Sequence, residues 1–432
     1  MMSFEDFAQK NGFSEKFLKE LEPFRQKLWD NSSDEAPSFM EKEFYTRYYP
    51  LCGGTDPAEI YPMMDEVCRI VHSEPAAARY ASMIHYAFCR ANPIIRLPWE
   101  PPVSIFGLHA RIFQLMVWLS SFPLIQAKHQ ELNLPEKYFH EICKNIGGDM
   151  EFYAATHDGV PGCSLAATHW ARYYIDGTVF RIGRLQYLPR QWGNHFPAIY
   201  RNRTDHSLAV LCLDGWAFDR NGFRIDHLIE KPEFTARLKI YNGKLTGTPI
   251  NPDGKPVPGR ELTLDLSEWE PLCAPWDPIM TIHIPSGGGL TVEAVRSSLI
   301  EAVKFYHDYL KLDVKLFTCS SWILNPAWEK ELPGSNLAAF QRNGYMTPTK
   351  PPGGNPGLRF VYGDDDCDPR TRPRTTALHH AFCRILDRGE PLRQGVMILP
   401  ASEVEYFGTE YYRKKYNFGR QSQSRPLAEQ EE

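Results

Sequence analysis

The sequence predicts an α/β (α+β) protein in which a helical N-terminal domain precedes a mixed-sheet domain. Three observations predict it. Helical periodicity dominates the first 150 or so residues, β-like runs separated by turn clusters begin near residue 178, and a strand–glycine loop–helix–strand unit occupies 279–324. At 432 residues the chain exceeds one ordinary core. The expected division is 1–150 helical, 151–415 mixed sheet, and 416–432 a polar tail expected to be disordered.

The helical part starts with FLKELEPFRQKLW, where Phe17, Leu21, Phe24 and Leu28 recur at helical spacing. Asp56-Pro57 reads as an N-cap followed by proline at the first helical position, and Met64, Val67 and Val71 continue that helix. RLPWEPPV (96–103) reads as a loop. PEKYFHEICKNIGGDMEFYAATH resumes helical character, with Gly147-Gly148 as a candidate helix end, and SLAATHWARYY opens another helix. From residue 178, TVFRIGRLQYLP, SLAVLCLDGWAF, ARLKIYNG and ELTLDLSEW read as strands. Then come strand 279–284, helix 292–310, strand 315–324, a helix at NLAAFQRNG, a strand at GLRFVYG, a helix at TALHHAFCRILDRG and a last strand at QGVMILP. Strands 279–284 and 315–324 should be parallel, joined by a right-handed crossover.

Composition excludes several function classes. A net charge of −5 gives no electrostatic footprint for nucleic acid. The start MMSFEDFAQKNGFSEKF lacks a basic segment followed by an apolar one, and the apolar stretch 112–125 is shorter than a membrane span, so no membrane partner is expected. Ten scattered cysteines without a C-x-x-C fit reduced thiols and a cytoplasmic location. No metal site is expected. The run GDDDCD (363–368), followed by Arg370, Arg372 and Arg374, reads as a solvated loop of ion pairs. The oligomeric state is not specified by these features.

The stretch IHIPSGGGLT (282–291) carries the chemistry. Three successive glycines cost conformational entropy on folding, so geometry must favour them. Thr291 reads as the N-cap of a helix whose stripe is Val292, Val295, Leu299, Val303, Tyr306 and Leu310. Ser286 to Leu290 thus lie where a strand's carboxyl end meets a helix's amino end, a place that favours an anion. A tight strand–helix turn without a ligand explains the glycines equally well. The P-loop lysine is absent, and the dinucleotide glycine spacing is not matched.

IHIPSGGGL, LFTCSSWIL, SNLAAFQ, FRIGRLQY and TALHHAFCRILDRGEPLRQG together resemble bacterial proteins with an N-acyltransferase N-terminal helical domain and a GNAT-like C-terminal acyltransferase domain. The resemblance spans nearly the whole chain. It implies acyl-CoA as co-substrate, carried in the splay of two parallel strands with its pyrophosphate on the glycine loop. Ile284, Ser286, Gly287, Gly288, Gly289, Leu290 and Thr291, with Asn336 and Phe340, are then the implied coenzyme A contacts. The acceptor would be a small molecule bound between the domains, offering an amine or hydroxyl. The Asn336 block is followed by Gly344-Tyr345 at a shorter spacing than in ordinary acetyltransferases, and their thiolate-protonating tyrosine has no clear counterpart.

Direct acyl transfer needs a proton acceptor and donors that polarise the thioester carbonyl. His283, just before the loop, is the candidate base, with a core histidine as the alternative. Ser320 and Trp322, on one face of TCSSWILN, are candidates for a catalytic hydroxyl and a pocket wall; a local backbone bond accounts for the serine equally. Arg184 and Gln186 share a face with Phe180 and Ile182 in the expected strand and are the candidate substrate contacts. The competing functions are a non-catalytic binder of coenzyme A or another phosphorylated ligand, and a glycan-processing hydrolase.

Overall fold

The computed structural model describes residues 2–163, 169–193, 196–226, 228, 230–349, 353–416 and 418. The chain divides into two compact units, Met1–Ile182 with Ile284–Gly288, and Gly183–His283 with Gly289–Glu432. The expected boundary at 150 falls inside helix α1 (Glu136–Thr156), whose 21 residues form one uninterrupted element. The tail 421–432 and the segment 164–168 lie outside the described residues.

The first unit is helical. Asp56 caps helix Pro57–Ser73 by accepting the Ala58 N–H, and Ile60, Met64, Val67 and Val71 form its buried face. The apolar stretch Val103–Glu131 is long and apolar enough to compare with a membrane span, and most of its most apolar window is buried. It is divided into helices Val103–Phe106, Ala110–Leu119 and Phe122–Glu131 with a short 3-10 turn between the first two. The break at Ser120-Ser121 is satisfied locally, the two hydroxyls donating to the carbonyls of Val117 and Trp118. Gly147 and Gly148 do not end a helix; both are buried in the middle of α1. The reason is space: a Cβ on Gly147 would lie 2.3 Å from the Cys52 carbonyl oxygen.

The second unit is built on a mixed sheet. Its strands are β1 (Leu185–Gln191), β2 (Pro278–His283), β3 (Leu316–Ser321), β4 (Tyr345–Thr347) and β5 (Gly395–Pro400), in the order β1-β2-β3-β5-β4. β2 and β3 are parallel, as expected for the strand–helix–strand step, and the other neighbours are antiparallel. The crossover is α2 (Val292–Leu310), whose bounds match the sequence expectation. Val295, Leu299, Ala302, Phe305 and Tyr306 bury its inner face. The Tyr187 hydroxyl meets Ser298 Oγ at 2.8 Å and Tyr306 donates to the Tyr187 carbonyl at 3.1 Å, fixing α2 on β1. Smaller sheets come from residues 198–271, including the three strands Leu238–Tyr241, Lys244–Gly247 and Leu262–Asp265.

Expected strands differ at several points. GLRFVYG is the short helix Leu358–Tyr362, because Gly357 and Gly363, at φ 101° and 76°, turn the chain at both ends and Leu358 packs beside Trp328 and Phe382. Strand 315–324 stops at Ser321, whose hydroxyl accepts the Ile323 N–H and starts a 3-10 turn at Trp322–Leu324.

Candidate functional site

The parallel strands part at their carboxyl ends. Their ladder aligns Met280 with Phe317 and Thr281 with Thr318, and no later pair forms between them among the described residues, although β2 runs to His283 and β3 to Ser321. On the outer sides both strands remain paired, His283 opposite Gln186 of β1, and Cys319, Ser320 and Ser321 opposite Met397, Val396 and Gly395 of β5. Hydrogen-bonded and non-bonded positions alternate along an antiparallel pair. At least one of those three residues therefore turns its N–H and C=O into the gap, where an N–H is suited to polarise a carbonyl.

The glycine loop is held at both ends. In the first unit, Ser286 Oγ donates to Asp149 Oδ1 at 2.9 Å, and the missing side chain of Gly148 admits the Ser286 carbonyl, which a Cβ would approach to 2.8 Å. Gly287 and Gly288 have φ of 77° and 70°, the region that L side chains rarely adopt. In the second unit, Arg184 Nε donates to the Gly289 carbonyl at 3.0 Å. Leu290 is buried, and Thr291 caps α2 by accepting the Ala294 N–H at 3.3 Å. The first N–H groups of α2 therefore point out of a capped helix end, with the positive pole of its dipole.

Arg184 is not on a strand. Gly183 (φ 58°) and Arg184 form a turn between strand Phe180–Ile182 and β1, because FRIGRLQY contains a turn glycine in mid-run. Arg184 thus braces the loop instead of sharing a face with Ile182. Gln186 is buried on β1. Trp322 lies outside the strand, its ring among Phe360, Phe382 and Trp328, and its carbonyl accepts the Trp328 indole N–H at 2.9 Å. Asn336 is the exposed first residue of helix Asn336–Asn343, which Ser335 caps. Phe340 is 1% exposed and packs against Phe407, so its side chain belongs to the core. Ile284 is half-buried.

His283 Nε2 lies 3.3 Å from Thr281 Oγ1, whose own proton is donated to the Leu188 carbonyl at 2.8 Å. Thr281 Oγ1, its own proton engaged, is able to accept from His283 Nε2. Burial, then Arg190, pushes the His283 pKa down to about 4, so the ring is neutral near pH 7. Ser320 is exposed, and its Oγ accepts from Gln394 Nε2 at 2.8 Å, leaving its O–H to donate. Gln394 escaped the sequence reading because only the β3–β5 register brings it to Ser320. Burial pushes the Cys319 thiol up to about 12, which argues against a thiolate nucleophile. Among the described residues no group of three or more His, Cys, Asp or Glu is placed to hold a metal. The acidic run pairs as expected, Asp368 with Arg370 at 2.9 Å and Asp364 with Arg372 at 3.1 Å.

Burial also depresses His85 and His129, each to about 4. All three folded-state values lie below the ordinary 6.5, so the unfolded chain binds more protons between about pH 6.5 and 4. Stability is expected to hold above pH 6.5 and fall through that window, by at most about 3 kcal/mol per histidine. Urea midpoints at pH 7.5 and 4.5 measure it, and equal midpoints would refute the burial of neutral rings.

No curated protein matches the sequence. Among solved structures the chain is similar to an acyltransferase in complex with decanoyl-CoA and teicoplanin, at 18% identity and a TM-score of 0.59, covering 93% of this chain and 100% of that one. It is also similar to a mutant acyltransferase in complex with octanoyl-CoA, at 18% identity and a TM-score of 0.58, covering 92% and 99%. Likeness at that identity establishes a shared fold. The family model described as a GNAT-like C-terminal domain matches residues 179–398, more than half of the sequence and including the parted strands and the turn into α2, and the chain belongs to that GNAT-like family.

Proposed function

We propose that this protein is an acyl-CoA-dependent acyltransferase that moves an acyl group to the amine or hydroxyl of a small acceptor by direct attack. The observation that carries the reading is the parting of β2 and β3 beside a glycine-rich turn into a capped helix. The gap suits a thioester, with a backbone donor for its carbonyl oxygen. The N–H groups of Gly287 to Leu290 and the first turn of α2 suit the pyrophosphate, and Arg184, already on the Gly289 carbonyl, adds a cation. The solved neighbours were captured with decanoyl-CoA and octanoyl-CoA, which favours a medium-length acyl chain here.

In the transfer, the acceptor's lone pair forms the new bond to the thioester carbon. The carbon–sulfur bond breaks and coenzyme A leaves as its thiolate. The acceptor's proton passes to His283, which is neutral and therefore able to take it, and the Ser320 hydroxyl donates toward the departing sulfur. A ring whose pKa is about 4 is a weak base. It suits a proton already made acidic by the positive charge that attack places on an amine nitrogen.

Thermal unfolding with acetyl-, octanoyl- and decanoyl-CoA, each against free coenzyme A, tests the reading. A thioester at 100 times its dissociation constant should add about 2.7 kcal/mol of stability. Absence of a shift with every thioester would refute it.

A further inference from the structure

Just before β5, residues 392–394 read Leu-Arg-Gln. Gln394 reaches Ser320, and Gly395 pairs with Ser321, so Arg393 stands two residues from the carboxyl end of β3, about 7 Å of extended chain. Its guanidinium carbon lies 4.1 Å from the centroid of the Phe223 ring. Arg393 Nη1 is buried and, among the described residues, has no hydrogen-bond partner. A buried guanidinium N–H without an acceptor is costly, and such groups point to a missing partner.

The surroundings bury that N–H without giving it an acceptor. Burial pulls the Arg393 pKa down, Asp219, Glu230 and Glu390 offset part of that, and no ion pair to Arg393 forms among the described residues. Asp219 is already engaged, its carboxylate accepting the N–H groups of Asn221 and Phe223 at 2.8 and 2.9 Å. Those bonds shape the tight turn that presents Phe223. A second cation, Lys255 Nζ, lies 5.9 Å from the same ring. Phe223 therefore carries two cations, one with an unsatisfied N–H, and the backbone of that one lies two residues from the Gly395–Ser321 pair.

We propose that Arg393, stacked on Phe223 and assisted by Lys255, is the subsite for a carboxylate on the acyl acceptor, so that the acceptor is an amino or hydroxy acid and not a neutral amine. This inference rests on the acyl-CoA reading of the β2–β3 gap. The planar guanidinium fork is matched to a planar carboxylate, whose two oxygens accept parallel N–H bonds. Arg393 is accordingly a specificity residue; it holds the acceptor and moves no proton.

The test is calorimetric titration of the full-length protein, with and without saturating coenzyme A, using phenylalanine, phenylalaninamide, phosphoserine and glucosamine. Phenylalanine is expected to bind at least ten-fold more tightly than its amide. Arg393→Gln should erase that ratio while coenzyme A binding and the melting temperature stay as in the wild type, and Arg393→Lys should retain part of it. Should the Gln variant fail to fold, Arg393→Lys and Phe223→Leu carry the same comparison. Equal binding of acid and amide, binding of glucosamine alone, no binding of phenylalanine, or a preference for phosphoserine would each overturn the carboxylate assignment. Coenzyme A binding is read separately, so its loss in the wild type would instead remove the acyltransferase reading.

Discussion

Gly147→Ala is expected to destabilise the first unit by about 1–3 kcal/mol, the opposite sign from the usual result in a helix interior. Glycine in mid-helix is ordinarily worse than alanine by about 0.5–1 kcal/mol, from the extra backbone freedom lost on folding. Here the new Cβ would meet the Cys52 carbonyl oxygen at 2.3 Å, its carbon at 3.1 Å and the Gly53 carbonyl oxygen at 3.0 Å. All three are backbone atoms, which cannot swing aside as a side chain does. The contact joins α1 to the loop after Leu51, in which Tyr49 donates its hydroxyl to the Thr55 carbonyl at 2.6 Å. Relief therefore requires two packed elements to separate. Urea unfolding measures the effect: the midpoint should fall with the m-value unchanged. A midpoint at or above that of the wild type would show that the loop yields freely and that helix propensity decides.

The helical front and the central strand–helix–strand unit were legible because their signals are local. Thr291 followed by a 3.6-residue stripe fixes α2, and alternation with flanking turn residues marks β2 and β3. Legibility failed where tertiary packing overrules a local pattern. The pair Gly147-Gly148 has the look of a helix end, yet it serves as the notch against which two loops lie. LRFVY has strand-like composition, but no sheet edge receives it and glycines with positive φ cut it to one helical turn. In the candidate site the glycine turn and the Thr291 cap were legible in the sequence, since turn chemistry and capping are short-range, whereas Arg184 was expected on a strand face and lies in a turn. Arg184's contact with Gly289 crosses 105 positions, Gln394's with Ser320 crosses 74, and Asp149's with Ser286 crosses 137. No periodicity carries such pairs. Phe340 shows the converse error: a motif position defined by its neighbours can still turn its side chain into the core.

Two substitutions in the glycine loop should weaken coenzyme A binding for different reasons, and their comparison separates backbone strain from loss of the ligand's space. Gly288→Val puts a β-branched side chain at φ 70°, a conformation costing such residues on the order of 1–3 kcal/mol. The loop is expected to leave that conformation, and coenzyme A affinity should fall at least 100-fold, about 2.7 kcal/mol. Most of the fold should survive, because residue 288 is exposed. Gly289→Ala is the sharper probe. Gly289 has no positive φ, and its Cβ would meet only Thr291 Cγ2, at an ordinary 3.5 Å, so the protein itself loses nothing. Under the proposed reading, a methyl group there stands where the pyrophosphate would approach the backbone. Wild-type melting temperature with coenzyme A affinity lowered ten-fold or more is the expected pair of results, read by calorimetry and thermal unfolding. Gly353→Ala, where a Cβ meets nothing within 4 Å, serves as the neutral control. If Gly289→Ala binds coenzyme A as the wild type does, the glycines serve the turn alone, and the pyrophosphate must rest elsewhere on the helix end.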